Sequence, residues 1–474
     1  MNGAIDSTRV SDPEIRAASD AMAHYIMGAV YDNYGETQKA ADEYSQALSG
    51  GKSATEIYLK LGADLMLLNR IEEAEEVLGK ASSIDPENTM AHLLLAVIHT
   101  TKGEYSKAAS QHEETLKYDP SNLDALSFLS DLFVTQRKFD KAAEVYEKML
   151  RIRDDDAFLY FNLGIIYSKL DLLDKAEEKL KKAIEVDEEY LAAHIVLGVI
   201  YETDKRDAKA IDQYTKVLNL DSANKEAYMR LVQVYNRAGQ FDKAEKANGE
   251  LLKLDPDSIG PYLNSFSIYL YRGEHDKAEE AIKKAFSKGL NGASLHVGMG
   301  YICGLRGNHE KAAEEYRQAV QIDGDNVTYK LYLVSALDQS GKKKEAESIL
   351  RKMIKEHSGA PEVYNYLGYM YAEEGRNLKE AVELIKKAVE LDPGNGAYMD
   401  SLGWAYYRQG KNTEALREIK RAVEILPQDP IVAEHLGDIY QAEGSEKEAL
   451  REWKRALELD SGNSTLAEKI ERLR

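Results

Sequence analysis

The sequence predicts an all-α chain: a solenoid of thirteen stacked helical hairpins closed by a short capping helix. Three observations carry this prediction. A Leu-Gly-x-x-Tyr core returns at steps of 34 residues or their multiples, give or take one, as "LGIIY" at 163–167, "LGVIY" at 197–201, "LGYMY" at 367–371 and "LGDIY" at 436–440. Such a fixed period dictates a repeat architecture. One column of the repeat, position 20, is Ala every time, from Ala40 and Ala74 through Ala415 and Ala449. Apolar residues at positions 4, 7 and 11 follow the helical period, and a second set at 24 and 27 follows it again after a turn.

Residues 1–20 read as a polar N-terminal segment. Repeats then begin at 21, 55, 89, 123, 157, 191, 225, 259, 293, 327 and 361 without an insertion, and one extra residue in "EEGRNLKEA" moves the last two starts to 396 and 430. Position 8 is Gly in eight repeats, including Gly28, Gly198, Gly403 and Gly437, with Ala96 or Ser130 in two more. Small residues at 8 and 20 allow two antiparallel helices to cross closely. Turn signals such as "DPEN" at 85–88 and "DPGN" at 392–395 separate the hairpins. The solenoid runs over 21–463, and "STLAEKIERLR" at 464–474 reads as the polar helix that a terminal repeat needs.

This pattern resembles the tetratricopeptide repeat, with its Trp/Leu/Gly/Tyr in the first helix, Ala/Phe/Ala in the second and a closing Pro. The resemblance covers 21 to about 463 and implies a right-handed superhelix whose first helices line a concave face. Repeat 8 departs from it, with Ser265 and Phe266 at the Leu-Gly positions, while "KANGELL" places Asn248 and Gly249 inside a helix against propensity. The expectation for residues 245–270 is a local loosening or change of superhelix curvature, with a compensated packing variation as the alternative.

Composition narrows the function classes. The chain has 62 Lys+Arg against 82 Asp+Glu, a net charge of -20, which repels nucleic-acid backbone and anionic lipid. A single cysteine, Cys303, excludes an intrachain disulfide and a cysteine metal cluster; at position 11 it reads as buried filler. No apolar run reaches 18 residues, and the start lacks a basic and then apolar leader. A cytoplasmic location is expected for the chain as written, and a periplasmic or envelope one if an export signal precedes Met1.

The residues that could suggest chemistry have structural readings. "GGKS" at 50–53 lacks the earlier Gly of a phosphate-binding loop and has no preceding strand. His24, His92, His194 and His296 share position 4 with tyrosines of other repeats and read as packing residues rather than metal ligands. "RDDDA" at 153–157 and "DGDN" at 323–326 lack calcium-loop spacing and fall in inter-repeat turns. No catalytic motif, metal site or cofactor site is expected, and the chain reads as a non-enzyme.

Under the resemblance, positions 2, 5, 9 and 12 face the concave groove. These 52 positions hold no Lys or Arg and eleven acids, among them Asp32, Glu202, Asp400, Glu434 and Asp438. Apolar and aromatic groove residues are Phe158, Phe161, Ile165, Ile195 and Val199, then Tyr301, Tyr369, Trp404 and Tyr407. The expected function is a scaffold that binds another protein's segment, basic and apolar in character, through aromatic anchors and acidic flanks. The Lys-and-Asn clamp that grips chaperone C-termini is missing. The closing repeats are similar to those of bacterial multi-repeat proteins, many of them envelope-assembly factors. The alternatives are self-assembly into a homo-oligomer and a role as accessory subunit of an enzyme complex.

Overall fold

The computed structural model describes residues 13–49 and 54–473, so "GGKS" at 50–53 and residues 1–12 lie outside the described residues. The chain divides into two compact units, 1–238 and 239–474. Described residues of the first unit form α1 (Pro13–Asn33), α2 (Thr37–Ser49), α3 (Thr55–Leu67), α4 (Ile71–Ile84), α5 (Thr89–Thr101), α6 (Tyr105–Tyr118), α7 (Leu123–Thr135), α8 (Phe139–Ile152), α9 (Ala157–Lys169), α10 (Leu173–Val186), α11 (Leu191–Thr203), α12 (Asp207–Leu220) and α13 (Lys225–Arg237). The second unit comprises α14 (Phe241–Leu254), α15 (Gly260–Tyr271), α16 (His275–Ser287), α17 (Ala293–Leu305), α18 (His309–Ile322), α19 (Val327–Gln339), α20 (Lys343–Glu356), α21 (Pro361–Glu374), α22 (Leu378–Leu391), α23 (Gly396–Arg408), α24 (Asn412–Ile425), α25 (Pro430–Ala442), α26 (Glu446–Leu459) and α27 (Ser464–Arg472). Each unit is an all-helical solenoid in which hairpins stack in chain order. The first helix starts at Pro13, ahead of the first repeat position.

The small-residue columns have a steric cause. A Cβ on Gly198 would lie 2.5 Å from the Tyr214 ring, and one on Gly437 would lie 2.3 Å from the Trp453 ring. The side chain at position 24 therefore fills the space that position 8 leaves open. At Gly403 the obstacle is backbone, with Ile419 N at 3.1 Å and Ala415 O at 3.2 Å, so the position 20 alanine marks the closest approach of the two helices. Ala40, Ala244 and Ala415 have no exposed surface. The loop between paired helices passes through a left-handed residue, usually Gly, as at Gly35 and Gly444. The inserted residue near 377 adds a second such turn, with Asn377 at φ 51°. Asparagines and aspartates that end the repeats cap the next helix: Asn122 accepts from Ala125 N, Asp429 from Ile431 N.

The position 4 histidines are held in a consistent way. His24, His92, His194 and His296 each bond through Nδ1 to the residue nineteen places on, Glu43, Gln111, Gln213 and Glu315, at 2.6–2.8 Å. Around residue 248 the chain stays helical, and the side-chain oxygen of Asn248 is buried without a hydrogen-bond partner among the described residues. Helix α14 runs unbroken through Asn248, whose buried amide donates to Pro261 O and Ser265 Oγ, both at 2.8 Å. Cys303 is buried, and burial pushes its thiol pKa up.

Candidate partner-binding groove

The expected groove residues of the first unit lie on α9 and α11. Phe158 is 60% exposed, whereas Phe161 leans on Tyr190 with ring centroids 5.0 Å apart. Ile165, Ile195 and Val199 are half-buried. The acids beside them serve the solenoid: the Tyr214 hydroxyl donates to Glu202, just as the Tyr44 hydroxyl donates to Asp32.

In the second unit, the C-terminal aromatic residues form a cluster that supplies its own partners. Trp404 stacks on His435 with centroids 4.1 Å apart and planes 15° from parallel, and Tyr407 sits 5.0 Å away. Its indole N–H donates to Glu373, and the Arg408 guanidinium, 5.9 Å from the ring, donates to the Glu373 carbonyl. Asp400, expected as a free acidic flank, is only 7% exposed and accepts from His435 Nδ1 at 2.9 Å. Burial works against a charged His435, yet the hydrogen bond and charge of Asp400 prevail and raise its pKa. Asp438 accepts from Lys469 and from the Trp453 indole, at 2.8 and 2.9 Å. Glu434 is likewise engaged by Lys469 and Asn463. Asp400 and Asp438 therefore offer no unpaired charge to a partner, because neighbouring hairpins and α27 neutralise them. Burial, then Glu373 and Asp400, raise the pKa of half-buried Tyr369.

Tyr301 has a different setting. It stands at position 9 of its repeat, as Trp404 does, and is 45% exposed. It opens into a cavity of about 660 Å³ walled by α15, α17 and α19. Leu263, Phe266 and Leu270 form one side, Val297 and Tyr301 the centre, and Tyr332 the other side, where it packs on Tyr316 at 5.5 Å. The space exists because the residues that would fill it are small. Gly304 has nothing within 4 Å of where its Cβ would be, and Ser267 and Ser335 stand at position 9 of the flanking repeats. Phe266, a departure from the usual Gly, adds an aromatic wall. The volume falls within the ordinary range for ligand sites and the walls are mostly apolar. A second cavity, about 740 Å³ beside α3 and α5, is lined instead by Glu56, Lys60, Asp85, Glu87 and Asn88. Of the residues expected from sequence, only Tyr301 belongs to the apolar groove; the run of small residues at positions 9 and 12 was the signal for the rest.

One group of potential metal donors, Glu75, His99 and Glu104, brings its ligand atoms within 4.8 Å of one another. Lys102 lies 2.6 Å from Glu75 and Lys107 3.0 Å from Glu104, so lysines already balance these carboxylates. Among the described residues no helix is long and apolar enough to cross a membrane.

Three sequence families described as "Tetratricopeptide repeat" match the chain. One matches residues 59–115, 101–157, 263–327 and 401–464, a second 203–264 and 305–367, and a third 159–190 and 361–395. No curated protein sequence matches it. Among solved structures, the chain is similar to "Structure of Naa15/Naa10 bound to HypK-THB" at 17% identity, over 94% of this chain and 70% of that one, with a TM-score of 0.48. It is also similar to yeast Tom70 at 17% identity over 95% and 99% of the two chains (TM-score 0.40), and to the Cut9-Hcn1 structure at 15% over 98% and 99% (TM-score 0.43).

Proposed function

Because the chain belongs to the tetratricopeptide-repeat family, we propose that it is a protein-interaction scaffold whose working surface is the apolar groove of α15, α17 and α19. The observation that carries this reading is Tyr301, a large ring left 45% exposed over a glycine-floored cavity and making no hydrogen bond among the described residues. A rigid amphipathic ring in such a place resembles a binding hot spot, and covering it contributes roughly 1.5–3 kcal/mol. The partner is a protein segment that inserts a large apolar side chain beside Tyr301. Basic residues around that side chain are favoured, because a chain of net charge -20 steers cations towards itself.

Photo-crosslinking in cells tests this, with a benzoylphenylalanine probe at Tyr301, a second at Trp404, and a control on the exposed side of α16 at Lys284. The expected result is a protein trapped from 301 and not from 284, its crosslinked peptide carrying apolar and basic residues. Capture from 404 without capture from 301 would move the working surface to the C-terminal cluster and sink the proposal.

A further inference from the structure

Position 10 of the repeat shows which surface each hairpin hides under the one before it. In all twelve hairpins from the second onward, from Asp64 to Ile439, this residue is at most 5% exposed. Asp64 shows why: it faces Asp32 and Tyr44 on the preceding pair, α1 and α2. In the first hairpin the same position is Val30, which is 37% exposed. It does not stand alone. Ile15, Met22 and Ile26 on α1 are 55, 60 and 54% exposed, and Met22, Ile26 and Val30 follow one another at the four-residue spacing that puts them on one side of a helix. The first hairpin thus leaves exposed, at Val30, the position that every later hairpin buries, and beside it lies an apolar stripe at positions 2 and 6, which other repeats also expose, as at Met90, Phe128 and Phe158. The other end of the chain is closed, with Leu466 and Ile470 of α27 1% and 5% exposed against Trp453 and Ala433.

We propose that the α1 stripe is an interface with a second copy of this chain, formed by antiparallel packing of α1 against its counterpart. Head-to-tail stacking onto the far end is blocked by α27. The stripe is, however, complementary to itself. Ile15, Ser19, Met22, Ile26, Ala29 and Asn33 alternate steps of four and three, the spacing of a helix-pair seam. Turned antiparallel about residue 24, Met22 meets Ile26, the small pair Ser19 and Ala29 meet, and Ile15 meets Asn33. A two-fold axis makes each of these contacts occur twice.

Sedimentation velocity on the full chain, over about a hundredfold range of concentration, tests this by mass action. A dimer is expected, and Met22→Glu with Ile26→Glu should weaken it at least tenfold while leaving the circular dichroism and thermal melt unchanged, since both side chains are exposed. Mixing Met22→Cys with Ile26→Cys under mild oxidation should yield the mixed crosslink in preference to either homodimer. A chain that stays monomeric throughout, or a dimer that the two glutamates do not weaken, overturns the proposal.

Discussion

Two carboxylates buried to nearly the same degree lie near opposite ends of the chain, and their neighbours treat them differently. Asp400 on α23 is 7% exposed and is met by the His435 imidazole on the next hairpin. Asp64 on α3 is 5% exposed and is met by another acid, Asp32, and one of its oxygens has no hydrogen-bond partner. Burial and then Asp32 push the Asp64 carboxyl pKa up to about 7. Asp64 stands at position 10, which every hairpin after the first buries, and Asp400 at position 5, which other repeats leave at least partly exposed; in both, whether a buried charge stabilises the stack depends on the adjoining hairpin.

The largest expected effect comes from breaking the satisfied site. His435→Ala strands Asp400 in the interior and removes the stack under Trp404, which should cost about 3–5 kcal/mol. Both tryptophans of the chain, Trp404 and Trp453, lie in the last two hairpins, so fluorescence-detected urea titration reads this loss locally. A loss below about 1 kcal/mol would place the pair among ordinary surface salt bridges.

Changing pH should sharpen the comparison. His435 has a raised folded-state pKa, so its contribution is complete below the ordinary histidine value of about 6.5 and fades as pH rises through the raised one. Asp64 also has a raised pKa, but as an acid its stabilising form is the neutral one. Its contribution is complete below about 4 and is lost as pH climbs through about 7. At pH 8 the first junction therefore carries a full like-charge penalty. Asp64→Asn should stabilise it there by about 1–2 kcal/mol, discounted for solvent screening, and change little at pH 4. Amide protection of α1 to α3 at the two pH values is the measurement; an equal gain at both would show that shape rather than charge is at issue.

What the sequence makes legible follows the same division. Relations within one repeat are readable: Gly at 8, Ala at 20, the filling residue at 24, and the capping Asn or Asp before many of the first helices, such as Asn122, Asp156, Asn326 and Asp429. The pairing of His at position 4 with Glu or Gln nineteen residues on was also there to be read, since each of the four histidines has such a partner. Relations between repeats were not. Trp404 is engaged by Glu373, thirty-one residues before it, and by His435, thirty-one after it. Its direction could be inferred from its position, but not its availability. The acid at position 10, in a column otherwise of Ile, Leu, Val, Ala and Met, was a visible anomaly whose meaning needed Asp32 beside it.

The smallest expected effect on stability is also the one that separates a binding ring from a structural one. Tyr301 and Trp404 occupy the same repeat position on α17 and α23, so the template gives no reason for them to differ. Trp404→Ala removes a stacked, hydrogen-bonded indole and should cost about 2 kcal/mol, less than a fully buried aromatic because the ring is half-buried. Tyr301→Ala removes a ring that lies over open space and should change stability by no more than about 0.5 kcal/mol. Affinity for the protein trapped at 301 should respond in the opposite order, with Tyr301→Ala weakening it at least tenfold, or about 1.4 kcal/mol, and Trp404→Ala leaving it nearly unchanged. Titration calorimetry on the two variants, beside their urea curves, gives both orders. If the substitution that destabilises the fold more also weakens binding more, exposure over the groove does not mark a binding residue, and Tyr301 is packing for the wall between α15 and α19.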